Sequence, residues 1–263
     1  MKQLHEIVAF LDALLPPDHP ADSSINGLQV ANNGEIDRIY TAVDASWEAI
    51  QLAKNAKNAL FFVHHGLFWR KQEIRITEAM YRKIDYMIRN NIALYACHLP
   101  LDQHPELGNN AVLLQQLGFE ASSFHSFGSY HGCSLGYWAE FEQAVSMDDI
   151  ILSVKQFSPL PFQYFQGPKK MIKRIAVVTG DGCDFAAEAR KIQTDLFITG
   201  EFSHQSYTYC RDNELNMLYL SHYGSEKWGV IKIGELLTQT FALESVFLDA
   251  YPKTTWVYSP ETL

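Results

Sequence analysis

Six short apolar runs restrict the folds open to this chain: residues 39–43, 60–63, 92–96, 175–179, 196–199 and 217–220. Each is too brief for a buried helix, and segments with helical spacing lie between them, at 47–55, 77–90, 111–117 and 185–192. A strand that leads through a helix into the next strand returns parallel to the first, by a right-handed crossover. The expected class is therefore α/β, with helices covering both faces of the parallel strands in α/β/α layers.

The chain opens on a helix, with Leu4, Ile7, Val8, Leu11, Leu14 and Leu15 on one stripe and Pro16-Pro17 as its stop. A polar loop with the turn dipeptide Asn26-Gly27 follows. The pattern changes near residue 125. Residues 124–137 are rich in glycine, serine and aromatics, with a strand expected at 134–139, and Ser146 with Asp149 three residues on marks a helix start. The alternation then resumes, with helices around Ser206 and over 226–237 and a last strand at 246–248.

The two alternating stretches look alike. Arg38-Ile39 matches Arg174-Ile175 at an offset of 136 (174 − 38), and Leu60-Phe61-Phe62 matches Leu196-Phe197-Ile198 at the same offset (196 − 60). Further on, Leu94-Tyr95-Ala96-Cys97-His98 matches Leu218-Tyr219-Leu220-Ser221-His222 at 124 (222 − 98). This predicts an internal duplication: two similar lobes, 1–125 and 126–263, within one unit.

Composition excludes several classes. A formal charge of −9 argues against a nucleic-acid partner, because such binders gain affinity by neutralising phosphates. Cys97, Cys133, Cys183 and Cys210 form no Cys-x-x-Cys pair, which suits a reducing cytoplasm better than a disulfide framework. No signal peptide is expected, since Glu6 and Asp12 interrupt the first apolar stretch. No uncharged run reaches the ~20 residues of a membrane span.

The chemistry lies where the apolar runs end. His64-His65-Gly66 closes one run, His98 with Asp102 follows another, and His222 with Glu226 follows a third. Open α/β sheets bind ligands at the carboxyl ends of their strands, and imidazole with carboxylate makes a metal site. Successive strand residues face opposite ways, so His64 and His65 can share a site only if the chain leaves strand geometry at Gly66. Asp102 is suited to bridge two cations. His222 and Glu226, four apart, share a helix face. For an isolated His-His pair or His-x-x-x-Glu the bland explanation is a surface feature; the set at three strand ends outweighs it.

His98 is expected to orient Asp102 or a water. His5, His19, His104 and His125 read as surface residues or turn caps, while His131 and His204 are candidate pocket residues. Trp69, Phe68 and Phe127 read as core packing in preference to ligand stacking. Gly180-Asp181-Gly182 is too short and too acidic for a phosphate loop.

These residues resemble a known family. Asn26-Gly27-Leu28-Gln29-Val30, His64-His65-Gly66, His98-Leu99-Pro100-Leu101-Asp102, Glu106-Leu107-Gly108-Asn109-Asn110, Thr199-Gly200-Glu201 and His222-Tyr223-x-x-Glu226 occur in the order seen in the NIF-three-like proteins, often labelled GTP cyclohydrolase 1 type 2 homologs. The resemblance covers nearly the whole chain, in the short form without an inserted domain. It implies two α/β lobes with a dinuclear metal centre between them, ligated by His64, His65, Asp102, His222 and Glu226, and a homohexameric ring. Two positions depart from the pattern: Ser221 replaces a glycine, and Gln205 replaces a histidine of longer members.

The resulting expectation is a metal-dependent hydrolase of a small molecule, a purine nucleotide such as GTP, opened at its ring. Glu201, His98 or His131 would donate the proton to the departing nitrogen. Mixed imidazole and carboxylate ligation suits zinc, iron, manganese or nickel. The rival expectations are a non-catalytic metal-binding or regulatory protein and a metal-dependent nucleotide phosphoesterase. For ring contacts, the aromatic-rich segments 124–137 and 157–165 are the candidates.

Overall fold

The computed structural model describes residues 1–53, 56–158 and 160–251. Two sheets carry the alternation. In the first, Arg38–Asp44, Ala59–His65 and Ile92–Ala96 pair in parallel. Gly27–Val30 adds antiparallel to Ile92–Ala96, and Glu244–Phe247 adds parallel to Arg38–Asp44. In the second, Met171–Val178, Leu196–Thr199 and Asn216–Tyr219 pair in parallel, with Gln163–Phe165 antiparallel on the outer side. Cys133–Ser146 runs antiparallel to Met171–Val178 and forms a hairpin with His125–Tyr130. The hairpin turns on His131-Gly132, both at positive φ (47° and 85°), as a two-residue connection between twisted strands requires.

The ladders test the internal match strand by strand. Ile39 pairs with Leu60, and Ile175 with Leu196, so the offset of 136 holds in space for the first two strands. The third strand differs. Phe61 pairs with Leu94 and Phe197 with Met217, an offset of 123 (217 − 94) rather than 124. The backbone agrees, since Cys97 N donates to Val63 O and Leu220 N to Thr199 O, again 123 apart (220 − 97). A one-residue slip moves every side chain to the other face, so the letter match at 124 sets residues from opposite faces against each other. By ladder position His98 corresponds to Ser221, and His222 lies one residue further on.

The C-terminal part of the expected second lobe, 126–263, crosses back. Helix His222–Phe241 lies between the sheets, and Glu244–Phe247 completes the edge of the first one. Val230, Ile233 and Leu237 pack with Ile39, Leu60, Phe62 and Tyr95, while Trp228 on the same helix packs into the core of the second sheet. Each buried side chain of this size contributes ~1.5–3 kcal/mol, which ties the sheets together through one element. Leu4, Ile7 and Leu11 of the opening helix, Leu4–Leu14, complete that core. The opposite face of the first sheet is covered by Trp47–Leu52 and Glu78–Arg89 through Ile50 and Met87. The expected helix 47–55 reaches residues 54 and 55, which lie outside the described residues. Helices thus cover both faces, as the alternation requires.

Gly27–Val30 is a strand where the sequence suggested only a loop. The aromatic-rich segments serve the chain's own cores. Phe127 is buried, and Phe157, Phe162 and Phe165 pack against core clusters, leaving Tyr130 and Tyr164 exposed. Position 159 of the second segment lies outside the described residues. Among the described residues no helix is long and apolar enough to cross a membrane.

Candidate metal centre

The parallel strands of both sheets direct their carboxyl ends into one cavity of 560 Å³, lined by His65, His98, Asp102, His222 and Glu226 among others. Strand geometry persists through His65, whose backbone pairs with Asp44, so the expected departure at Gly66 is not how the two histidines meet. They converge because a carboxylate waits beyond the strand end. His64 Nε2 lies 3.7 Å from Glu226 Oε1, and His65 Nε2 lies 3.3 Å from Oε2. His222 Nε2 is 3.0 Å from Glu226 Oε2, and Asp102 Oδ2 is 3.5 Å from His64 Nε2.

All five residues implied by the resemblance therefore meet. They fall into two groups with ligand atoms within 4.8 Å of one another: His64, Asp102 and Glu226, and His65, His222 and Glu226. Glu226 belongs to both groups and Asp102 to one. His98 joins a third group with His64 and His65.

Every one of these imidazoles is held from behind through Nδ1. His64 contacts the Cys97 carbonyl at 2.8 Å, His65 contacts Asp44 at 2.8 Å, His98 contacts Asp22 at 2.7 Å and His222 contacts Glu201 at 2.5 Å. Such partners fix ring orientation and tautomer, and turn Nε2 toward the centre. Asp22 does more, since its carboxylate also accepts from Leu99 N and Ser24 N. Burial opposes its charge, but His98, Asn26 and Ser24 prevail and hold its pKa near 2. Asn109 donates to Asp102 Oδ1 at 2.8 Å and accepts from Gly229 N, tying the aspartate to the central helix. Glu201, expected as a proton donor, instead stands behind His222. Asp22 and Asp44 carry no local sequence signal, because their partners lie 76 and 21 residues away, whereas Asn109 stands in the Glu106-Leu107-Gly108-Asn109-Asn110 motif, seven residues from Asp102.

The electrostatics fit a cation. Burial disfavours a charged His64, yet Asp102 and Glu226 overcome this and raise its pKa to about 9. His222 rises to about 10 against its own burial, through Glu226 and Glu201. Burial would lift Glu226, but the surrounding histidines keep it well below the usual carboxylate range. Asp102 rises, through burial and the nearby Glu226. Among the described residues, buried His64 Nε2 and Glu226 Oε2 have no aligned hydrogen-bond partner; the short approaches to Glu226 are contacts at poor angles. Buried polar atoms without an aligned partner are costly unless a ligand takes them up.

Space for Glu226 comes from the second sheet. Gly180, at φ +63°, sits where any side chain would collide with Glu226 Oε1. Ser221 caps the helix His222–Phe241 through Gly224 N at 3.0 Å while itself adopting φ 65° and ψ 154°. That region favours glycine, which explains the residue of the resemblance that Ser221 replaces. Of the other histidines, His19 is buried against Gln103, His104 caps a turn and His125 stacks on Trp138. His204 begins an exposed helix turn and does not line this cavity.

A family profile described as Duf34/NIF3 (NGG1p interacting factor 3) matches residues 2–254. A relative in Archaeoglobus fulgidus, named GTP cyclohydrolase 1 type 2 homolog, is 38% identical over 246 residues, 94% of this chain and 97% of that protein. One of the same name in Pyrococcus horikoshii is 38% identical over 249 residues, covering 93% and 96%. A solved structure from Thermus thermophilus superposes with a TM-score of 0.83 at 29% identity, covering 96% of this chain and 100% of that one. With ordered motifs, sheet topology and whole-length similarity in agreement, this chain belongs to the Duf34/NIF3 family.

Proposed function

We propose that the protein is a dinuclear metal-dependent hydrolase of a small molecule. His64, Asp102 and Glu226 hold one divalent cation, and His65, His222 and Glu226 hold the second. The observation that carries this reading is the pair of ligand groups sharing Glu226, with the buried polar atoms His64 Nε2 and Glu226 Oε2 left without an aligned partner. When bound, two such ions lower the pKa of a water and polarise an electrophile.

The chain's own residues do the rest. Asp44, Asp22 and Glu201 keep the imidazoles aimed, and the cavity's size selects a small molecule over a folded one. His98 Nε2 faces the cavity while Asp22 fixes Nδ1, and we assign to it the proton delivered to the departing nitrogen. The name borne by the relatives supports a purine nucleotide, with hydrolytic opening of its ring, as the substrate. The ligand chemistry suits zinc, iron, manganese or nickel. Assembly into a homohexameric ring belongs to the same proposal, and a monomeric mass by light scattering across physiological salt would remove it.

The test is protein loaded with each metal in turn, incubated with GTP, and the product identified by mass spectrometry. A product heavier by one water, or one that has then lost formate, supports the reading. Free phosphate would replace it with a phosphoesterase, and two bound ions without turnover would replace it with a metal-binding protein.

A further inference from the structure

A second cavity of 360 Å³ adjoins the metal cleft, and its charge is opposite. Ala21, Asp22, Ser23 and Tyr130 form a common wall. The described lining of the inner cleft includes the carboxylates of Asp22, Asp102, Asp181, Asp184 and Glu226, and no lysine or arginine. The outer cavity adds Arg70, Lys71 and His131.

Local backbone structure explains the division. Ser24 bridges Trp69 in antiparallel fashion, Ile25 N donates to Phe68 O at 3.0 Å, and Arg70 N donates to Ser23 O at 2.7 Å. The bridge ends at Trp69, and the chain turns at once, with Gln72 N donating to Trp69 O at 3.1 Å. Trp69 lies against the imidazoles, 5.3 Å from His98 and 6.1 Å from His65 between ring centroids, while Arg70 and Lys71 occupy that turn and line the outer cavity. His131 arrives from the second sheet, at the tip of its hairpin.

Both cationic side chains are available. Among the described residues Arg70 pairs with Asp18 at 3.7 Å, and Asp18 is 99% exposed, so the pair is loose. Lys71 makes no ion pair among them. Inside the cleft, by contrast, carboxylates repel a phosphoryl group everywhere except at a bound cation. A ligand whose ring approaches the metals must lead its negative charge outward, past Tyr130.

We propose that Arg70, Lys71 and His131 form a subsite for the phosphoryl tail of a ligand whose planar ring lies against Trp69. This rests on the hydrolase reading and extends it to substrate class: a phosphorylated heterocycle, not a free base or nucleoside. Arg70 offers the tail a planar fork of donors, and Lys71 a mobile point charge.

Two binding measurements test it. In the first, metal-free protein is titrated calorimetrically with pyrophosphate, a probe that cannot bridge to absent metals. Wild type binds, and the double variant Arg70→Ala, Lys71→Ala binds at least tenfold more weakly. No binding by wild type, or equal binding by both, overturns the subsite. In the second, metal-loaded protein is titrated with GTP and with guanosine. The double variant loses at least tenfold for GTP and keeps its guanosine affinity; equal losses for both overturn the proposal. The two readings separate cleanly. Anion binding with no nucleotide hydrolysed leaves the subsite and removes the hydrolase, whereas equal GTP turnover by wild type and variant does the reverse.

Discussion

The carboxyl edges of the two sheets share a backbone plan and carry opposite equipment. On the first edge stand Asp44, His64, His65, His98 and Asp102. At the positions 136 residues on from Asp44, His64 and His65, the second edge has Gly180, Gly200 and Glu201 (44 + 136, 64 + 136, 65 + 136). Those glycines are not idle. A side chain at Gly180 would strike Glu226, and one at Gly200 would strike Ser225 and the Gly180 backbone. One edge supplies donors, the other supplies room and the start of the helix that delivers His222 and Glu226. The candidate metal site between the sheets thus has one crowded edge and one emptied edge.

The sharpest way to break this comparison is to remove the residue that joins both edges. Glu226→Ala should strip the chain of both ions, a larger loss than the ~10–100-fold in affinity expected for an outer partner. Elemental analysis after dialysis reads it, and full metal content in this variant would dissolve the idea of a shared ligand.

Protons offer the next largest effect. His64 and His222 hold protons up to about pH 9 and 10 without metal, so the affinity of an ion that displaces one rises ~tenfold for each unit that the pH climbs toward those values. Calorimetry in buffers of different ionisation enthalpy should show protons released on metal uptake at pH 7. The sign for stability is opposite. Both pKa values are raised above the ordinary 6.5, so their contribution is full below pH 6.5 and is lost as pH climbs through 9 and 10. Metal-free protein should therefore melt at lower temperature at pH 10 than at pH 7, and a flat profile would remove the argument.

Outer partners sharpen the contrast between edges. Asp44→Asn on the first edge and Glu201→Gln on the second should each cost ~10–100-fold in metal affinity or activity. Asp44 is the partner of a better-buried imidazole, with His65 side chain 16% exposed against 37% for His222. Its variant should be the more damaging of the two, and equal losses would show that the edges are not unequal.

The smallest effect concerns Ser221. Its backbone strain costs ~1–3 kcal/mol, while glycine in its place loses only a few tenths as a helix cap. Ser221→Gly should raise stability by ~1 kcal/mol or more, visible in urea melts without change in metal content. A destabilised variant would mean that the cap outweighs the strain.

Much of this was legible in the sequence because it is local. Apolar runs gave the parallel strands, and donors at their ends gave the five converging residues. Two kinds of information were not local. Asp22 and His98 lie 76 residues apart, so nothing near either announces the contact. The third strand misled through its letters: Leu-Tyr recurs in both alternating stretches, but alternation of faces, not identity, fixes the register. The helix over His222–Phe241 also reads as one more crossover, and only packing reveals that its apolar side is divided between two cores.

That return of the chain sets an order on synthesis. When residues 1–220 have left the ribosome, His64, His65, His98 and Asp102 already exist, along with all three central strands of each sheet. Missing are His222, Glu226, the helix that wedges the sheets and the strand that finishes the first edge. At that stage the chain holds four of the candidate ligand residues, with neither the shared carboxylate nor fixed geometry, and residues 222–247 supply the rest as the sheets consolidate into one unit. On the proposed metal-binding reading, selection among ions then falls to the chain once His222 and Glu226 are in place, rather than to whichever ion first meets two emerging histidines.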